Sequence, residues 1–200
     1  RPDWPGRDRF ILSKAHGCNT FYCVLEDLGF FPPEHLEHYL ADGSLLSGHT
    51  DHRIPGVEIL GGSLGHGLGV AAGMAWGARL DGAEHLVVTL LGDGESQEGS
   101  VWEAAAFASQ RRLRNLVALT DRNRLGSEDF TERTAGLDPL ADRWRAFGWE
   151  VREVDGHSIP ALLCALADVR RRMAERPLMI VAHTVKGKGV PALEQDPGAW

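Results

Sequence analysis

The chain has 200 residues, of which 43% are hydrophobic and 24% charged, so it is long enough for one domain with a substantial core. Its formal net charge of −7 argues against nucleic acid or an anionic membrane as a partner, and the one basic cluster, Arg170-Arg171-Arg172, lies on a predicted solvent-exposed helix face. Cys18, Cys23 and Cys164 lack metal-ligand spacing and no apolar run is long enough to span a membrane, which predicts a cytoplasmic protein with reduced thiols.

The N-terminal part of the chain carries two candidate ligand-binding histidines. A short apolar run, 10–12, leads into Ser13-Lys14-Ala15-His16-Gly17, and a helix is predicted from there to Gly29, followed by a shorter one over 34–39. His16 at a helix start could contact an anion, or it could cap or pack. His49, in the predicted loop 47–52, could bind a ligand or be solvated. The residues alone leave these alternatives open.

Glycines dominate the next segment. The stretch 61–67 is too rich in glycine for regular structure, and no Gly-Lys-Ser/Thr follows it, so it is not a nucleotide-binding loop. A helix is predicted from about Gly65 to Leu80. Its glycines recur at steps of four on one face, at Gly65, Gly69, Gly73 and Gly77. Each glycine inside a helix costs up to about 1 kcal/mol relative to Ala, so this face predicts a close backbone contact, either between subunits or within the domain.

A buried strand followed by Gly92-Asp93-Gly94 is the most informative stretch. The apolar run 86–91 predicts the strand, and a helix is predicted over 97–112, with Glu95 and Glu98 near its start. A second buried run, 116–120, leads to Asp121 and Asn123. Ligands bind at the carboxyl edge of parallel sheets, where helix N-termini suit phosphate and oxygen ligands suit Mg²⁺. The pattern indicates a site for metal and diphosphate, although two ordinary turns could contain the same residues.

The C-terminal part alternates between helix and strand. A helix is predicted over 138–147, strands over 149–154 and 178–182, and between the strands a second helix with Ser158 as its N-cap, after the turn Asp155-Gly156-His157. The predicted buried stripe of that second helix is Ile159, Leu162, Leu163, Leu166, Val169 and Met173. This alternation predicts an α/β fold with a parallel sheet flanked by helices. Lys186 and Lys188 follow the last strand, in a loop that either binds an anion or is simply solvated.

Four blocks, in the same order along the chain, resemble the transketolase family. They are 8–17, the glycine-rich 61–69, 92–123 and 183–189. The third block pairs Gly92-Asp93-Gly94 with Asn123, thirty positions after Asp93, which resembles the thiamine-diphosphate fingerprint, and 98–104 resembles transketolase in particular. The resemblance implies one thiamine-diphosphate-binding domain over 1–200, with both ends apparently trimmed.

The resemblance also implies roles for individual residues. Asp93, Asn123 and the Leu125 carbonyl would hold Mg²⁺ or Ca²⁺. The cofactor-binding residues would be His16, Gly62, Leu64, Gly92, Asp93, Gly94, Glu95, Asn123 and Lys186, with backbone atoms of Gly62 and Leu64 reaching the aminopyrimidine ring. The catalytic residues would be His16, His49 and Glu98. Both histidines would contact substrate oxygens, and Glu98 would join a carboxylate network between subunits. The chain departs from the family pattern at Thr50, commonly Pro, and at His66, often Gln. His66, His157 and His183 have no assigned role.

The activity that the resemblance implies is transfer of a two-carbon ketol unit from a ketose to an aldose. A second subunit would supply the pyrimidine-binding and C-terminal domains in an α2β2 heterotetramer. The sugars, phosphorylated or not, stay unassigned because the family's phosphate-clamping residues lie in a later domain. The alternatives are another thiamine-diphosphate enzyme, such as deoxyxylulose-phosphate synthase or a 2-oxo acid dehydrogenase component, and a non-catalytic assembly subunit.

Overall fold

Parallel strands form the centre of the computed structural model, which describes residues 3–127, 129–171 and 175–196. The strands are β1 (Arg9–Leu12), β2 (Val87–Gly92), β3 (Leu116–Arg122), β4 (Glu150–Asp155) and β5 (Leu178–His183). They form one sheet in the order β1-β2-β3-β5-β4, and every pairing is parallel. The predicted α/β fold with a parallel sheet is therefore confirmed.

Strand β1 is absent from the sequence-based prediction, which contained four strands. It pairs with β2 from Arg9 beside Val87 to Leu12 beside Leu90. A run of so few residues is too short to show strand periodicity. Pairing with a segment far away in the chain makes it a strand.

Helices flank the sheet. Those in the described ranges are α1 (Cys18–Asp27), α2 (Glu34–Glu37), α3 (His66–Leu80), α4 (Gly99–Gln110), α5 (Thr131–Thr134), α6 (Leu140–Ala146), α7 (Ile159–Leu166) and α8 (Pro191–Gln195). Short 3₁₀ turns occupy Ala15–Gly17, Gly94–Gln97 and Val169–Arg171. Within the described ranges, no helix has the length and apolar character that crossing a membrane requires.

The helix predictions are confirmed except at two places. Helix α4 begins at Gly99 because the chain first makes a 3₁₀ turn and Glu98 is extended. Helix α7 ends at Leu166, and Ile159 and Leu163 are 70% and 63% exposed, so they were wrongly assigned to its buried stripe. Helix α7 packs on the edge strand β4 and buries a narrower face there. Met173 and Arg172 lie outside the described residues.

The core occupies both faces of the sheet. The larger cluster lies between the sheet and α3, α4 and α6, and a smaller one lies under α7. Successive residues of β3 point to opposite faces, with Ala118 in the first cluster and Val117 in the second. Trp144 is fully buried in the first cluster and packs against Trp102 and Trp149, with ring centroids 4.8 and 5.1 Å away. A third cluster packs α1 against β1 and the loop that carries His49.

The glycine face of α3 points away from this core. A Cβ built on Gly69, Gly73 or Gly77 would have no atom within 4 Å in the described part of the chain. The predicted close packing within the domain is therefore wrong for these three, and a contact between subunits stays a prediction. Gly65 differs, because it precedes α3 with φ of +81° and a Cβ there would lie 2.4 Å from Ser100 Oγ.

Candidate functional site

The carboxyl ends of neighbouring strands meet at one edge of the sheet. Gly92 at the end of β2 lies beside Asp121 of β3, which in turn lies beside Ala182 of β5. The Asp121 carboxylate pairs with the ammonium of Lys14, which follows β1, and accepts a hydrogen bond from Thr184, which follows β5. Burial acts to raise the pKa of Asp121, but Lys14 and Thr184 outweigh it and hold the pKa below its usual value. Asp121 therefore stays charged and fixes Lys14 at this edge.

Asp93 is a fully buried carboxylate at the end of β2, with 1% of its surface exposed. Its Oδ1 accepts the Gly94 N–H at 2.8 Å, and its Oδ2 accepts the Arg124 N–H at 2.5 Å and the Arg122 guanidinium at 3.0 Å. Burial raises the pKa of Asp93, against the lowering effect of these donors. Burial removes the water that would otherwise stabilise the charged Asp93 carboxylate. A cation bound at Oδ1 would stabilise that charge instead.

Arg122 connects Asp93 to the loop after β3. Its guanidinium also donates to Thr131 Oγ1 at 2.8 Å, Glu132 at 2.8 Å and Asp138 at 2.9 Å. The arginine is 1% exposed. The sequence analysis missed this residue because Arg122 lies between two polar residues and reads as part of an exposed turn. The only available signal was its position as a continuation of the buried strand.

The loops that follow β2 and β3 contact each other, as predicted. A Cβ on Gly94 would lie 3.3 Å from Gly126 Cα and 3.9 Å from the Leu125 carbonyl oxygen. The Asn123 side-chain oxygen accepts the Leu125 N–H at 2.9 Å. Two backbone bonds flank the bridge between Leu125 and Phe130, and they use the carbonyls of Arg124 and Asp129, not that of Leu125.

The chemistry of these groups suits a hard cation. Among the described residues, no group of three or more His, Cys, Asp or Glu could hold a metal. A cation near Asp93 would therefore need the oxygens of Asn123 and Leu125 together with phosphate oxygens and water, which is the mixed oxygen set that Mg²⁺ takes in proteins. The predicted ligand types fit the observed edge.

The structure gives Glu95 and Glu98 different surroundings. Glu95 is buried, and its carboxylate accepts hydrogen bonds from Ser13 Oγ, from the Gly65 N–H at 2.9 Å and from the Gly92 N–H at 3.1 Å. Glu95 therefore links three separate segments of the chain beneath the site. This structural linking role was not predicted from the sequence. Glu98 is exposed at the start of α4 and packs against Gly65, where a Cβ would lie 2.8 Å from the Glu98 Cβ.

Basic side chains gather in front of this edge. Partial burial lowers the pKa of His16, and the positive charges of Lys14 and Lys186, with His49, lower it further. The segments that carry His16 and His49 lie side by side, because a Cβ on Gly61 would meet both Ala15 and Thr50. The His49 ring also packs against Gly62, where a Cβ would lie 3.3 Å from its Cδ2.

Other predicted residues lie outside this group or stay exposed. Leu64 has 44% of its surface exposed, and His66 is exposed at the start of α3. His157 accepts the Val185 N–H at 2.8 Å, and His183 pairs with Glu153 at 3.2 Å. His157 and His183 therefore organise the ends of β4 and β5.

Residues 1–199 match the family described as "Transketolase, thiamine diphosphate binding domain". The chain belongs to the transketolase family.

Curated relatives include proteins named as transketolase subunits. The chain is 43% identical over 189 residues to "6-deoxy-6-sulfo-D-fructose transketolase subunit SqwG" from Clostridium sp. (strain MSTE9), covering 94% of this chain and 68% of the relative. It is 41% identical over 194 residues to an apulose-4-phosphate transketolase subunit from Phocaeicola vulgatus, covering 97% and 69%. The Pongo abelii transketolase is 43% identical over 200 residues, but the transketolase-family chain spans only 31% of its length.

Solved transketolase structures share the fold. The Campylobacter jejuni transketolase superposes with a TM-score of 0.87 at 30% identity, covering 96% of this chain and 31% of that one. The Leishmania mexicana transketolase gives a TM-score of 0.83 at 29% identity, covering 90% and 29%. The parallel sheet of this transketolase-family chain is thus a thiamine-diphosphate-binding α/β fold.

Proposed function

We propose that this chain is the diphosphate-binding part of a two-subunit transketolase that transfers a two-carbon ketol unit from a ketose to an aldose. The observation that carries the proposal is Asp93, a fully buried carboxylate whose loop contacts the Leu125 loop at the carboxyl edge of the sheet. Lys14 and Lys186 place positive charge near His16 in front of that edge, which favours an anionic diphosphate.

Asp93, Asn123 and the Leu125 carbonyl would hold Mg²⁺. The Gly94 N–H and His16 would hold the diphosphate, with Lys186 nearby as a further positive charge. Thiamine diphosphate, when bound, supplies the carbon nucleophile and accepts the electrons of the broken C–C bond. The protein's own residues bind, orient and move protons around it.

His16 and His49 are the groups suited to proton transfer. The lowered pKa of His16 keeps its imidazole uncharged at neutral pH, so it can donate a hydrogen bond through one nitrogen and accept through the other. His49 lies close enough to lower that pKa, and it would hydrogen-bond a hydroxyl or the carbonyl oxygen of the ketose. Glu98, exposed beside Gly65, would contact a carboxylate of the partner subunit.

Thiamine diphosphate binding tests the cofactor site. The protein assembled with its partner is titrated with thiamine diphosphate, with and without MgCl₂, and tryptophan fluorescence reports binding. We expect saturable Mg²⁺-dependent binding, its loss in Asp93→Ala, and a milder loss in Asn123→Ala, because an amide is a neutral ligand. Asp142→Ala, an exposed acid on α6, is the matched control. Near-normal binding by Asp93→Ala would exclude the site.

A second polypeptide would complete the enzyme. The relatives named as subunits are matched over 68–70% of their length, whereas animal transketolases are matched over 31–32% of theirs. This supports a partner that carries the pyrimidine-binding and C-terminal domains in an α2β2 assembly, with the glycine face of α3 as a candidate contact. Co-purification of such a chain is the expected result. Full turnover by a homo-oligomer of this chain would contradict it.

The sugar specificity is open to direct assay. One relative is named for 6-deoxy-6-sulfo-D-fructose and another for apulose-4-phosphate, so the sugars in the names differ within the family. Ketol transfer by the assembled enzyme from a panel of phosphorylated and non-phosphorylated ketoses would identify the donor. A protein that binds the cofactor but transfers from no ketose in the panel would count against the proposed reaction.

A further inference from the structure

Helix α1 holds the loop that carries His49 by three consecutive carbonyl groups. The Tyr22 hydroxyl shares its one proton between the carbonyls of Ser47 at 3.1 Å and His49 at 2.7 Å. The Cys18 thiol donates to the carbonyl of Gly48 at 3.2 Å. Tyr22 and Cys18 are one helical turn apart on the buried face of α1. Both donors are thus directed at the same short backbone segment.

These contacts determine the shape of a segment that has no regular structure. Residues 46–50 belong to neither helix nor strand, so their backbone is held by side chains and by neighbouring loops. Beyond Tyr22 and Cys18, the Gly61 N–H donates to the Thr50 carbonyl at 2.8 Å, and Ser47 Oγ bonds locally to the His49 carbonyl at 2.9 Å. Burial raises the pKa of Tyr22, which keeps its hydroxyl protonated as a donor.

The same helix continues directly from the segment that contains His16. The 3₁₀ turn Ala15–Gly17 leads into α1 at Cys18, so His16 precedes the first residue of the helix by two positions. His16 and His49 are far apart in sequence, but their chain neighbours Ala15 and Thr50 both flank Gly61, where a Cβ would meet each of them. Their relative position therefore depends on how α1 holds the loop 47–49.

We infer that Tyr22, assisted by Cys18, is a positioning residue that sets the placement of His49 relative to His16 and so the hydrogen bonds that the pair makes to the ketose. The inference rests on the proposed function of His49 as a substrate contact. Misplacing a substrate-binding group by about 1 Å can cost on the order of a hundredfold in rate. Among the described residues, the hydroxyl of Tyr22 bonds only to the loop that carries His49 and not to the Asp93 loop, so cofactor affinity should not depend on it.

Tyr39 provides a matched control in the same aromatic cluster. Its ring contacts the Tyr22 ring edge-on, with centroids 6.3 Å apart, and its hydroxyl donates to Asn19 Oδ1 at 2.6 Å. Tyr39→Phe removes a phenolic hydroxyl beside Tyr22 without removing a contact to the His49 loop. Any difference between the two Tyr→Phe variants then reports on the loop.

The experiment measures ketose KM and kcat, the Mg²⁺-dependent Kd for thiamine diphosphate and thermal stability, in the enzyme assembled with its partner. Tyr22→Phe should lower kcat/KM for the ketose by roughly 10- to 100-fold and leave the cofactor Kd within about twofold, whereas Tyr39→Phe should change neither. In a His49→Ala background, Tyr22→Phe should cause no further kinetic loss, because it acts through His49.

Other outcomes separate the inference from the proposed function. If His49→Ala is itself kinetically normal, the role of His49 is refuted and the inference falls with it. If His49→Ala is impaired but Tyr22→Phe matches Tyr39→Phe, only the inference is refuted. An additive loss in the double variant would also refute it. If Tyr22→Phe does not fold, Cys18→Ala removes the thiol contacts to the Ser47 and Gly48 carbonyls, and a kcat/KM equal to that of the wild type would overturn the inference.

Discussion

Replacing Arg122 with Met should destabilise the domain strongly, because it breaks a buried ion-pair network. Arg122 and Asp93 are each 1% exposed, and their side chains meet at 3.0 Å. Removing the arginine leaves Asp93 buried with no opposite charge in the described contacts, although the Arg124 and Gly94 N–H groups still donate to it. The same change removes the ion pairs of Arg122 with Glu132 and Asp138, which lie in the loop after β3.

The size of the stability loss in Arg122→Met follows from how deeply each ion pair is buried. Removing one partner of a fully buried pair costs about 3–5 kcal/mol. The pairs of Arg122 with Glu132 and Asp138 are 37% and 41% exposed on the acid side, so each adds at most about 1 kcal/mol. For a domain of this size, 1 kcal/mol shifts Tm by about 2–4 °C, so the Asp93 pair alone corresponds to roughly 6–20 °C.

Thermal and urea unfolding of the variants measure this loss. Arg122→Lys keeps a charge but not the planar fork that reaches four acceptors, so it should fall between wild type and Arg122→Met. The control is Arg145→Met, which breaks exposed pairs with Asp142 and Glu153. If Arg122→Met unfolds at the same temperature as Arg145→Met, the account of Arg122 as a buried link is wrong.

Three further predictions concern other features of the chain. Gly73→Ala should raise the stability of the chain alone by up to about 1 kcal/mol, since its Cβ meets nothing, and should weaken association with the partner; unchanged association would remove the glycine face as the contact. Hydrogen bonds from Arg53 lower the pKa of Asp51 to about 2, so its stabilising contribution is complete above its ordinary pKa and is lost as pH falls through about 2. Unfolding of Asp51→Asn should accordingly depend less on pH between about pH 4 and 2 than that of the wild type. Glu98→Gln should alter the pH–rate profile of the assembled enzyme far more than the thermal stability of this chain, and superimposable profiles would leave only a helix-dipole role.

The sequence by itself determined the fold class and the family. Strands β2, β3 and β5 show as apolar or β-branched runs of five or six residues, and α3 shows as a long helix despite its glycines, because burial on one or both faces leaves a local pattern. Strand β4 has a weaker pattern, since charged residues alternate with its valines. The motif around Asp93 and Asn123, with three other blocks in order, pointed to transketolase. The meeting of their two loops followed from parallel strands, whose carboxyl ends share one edge.

Tertiary structure decided the features that depend on partners distant in the chain. Strand β1 exists through its pairing with β2, and Glu95 is a buried link through donors on Ser13 and Gly65. From the sequence, Arg122 resembles an exposed turn residue. In the fold, the loop after β3 folds back and places hydrogen-bond acceptors, two of them carboxylates, around its guanidinium. Local periodicity records whether a position is buried, but it does not record which distant group satisfies a buried charge. That assignment is made only when the chain packs, since a buried charge is tolerated only beside its partners.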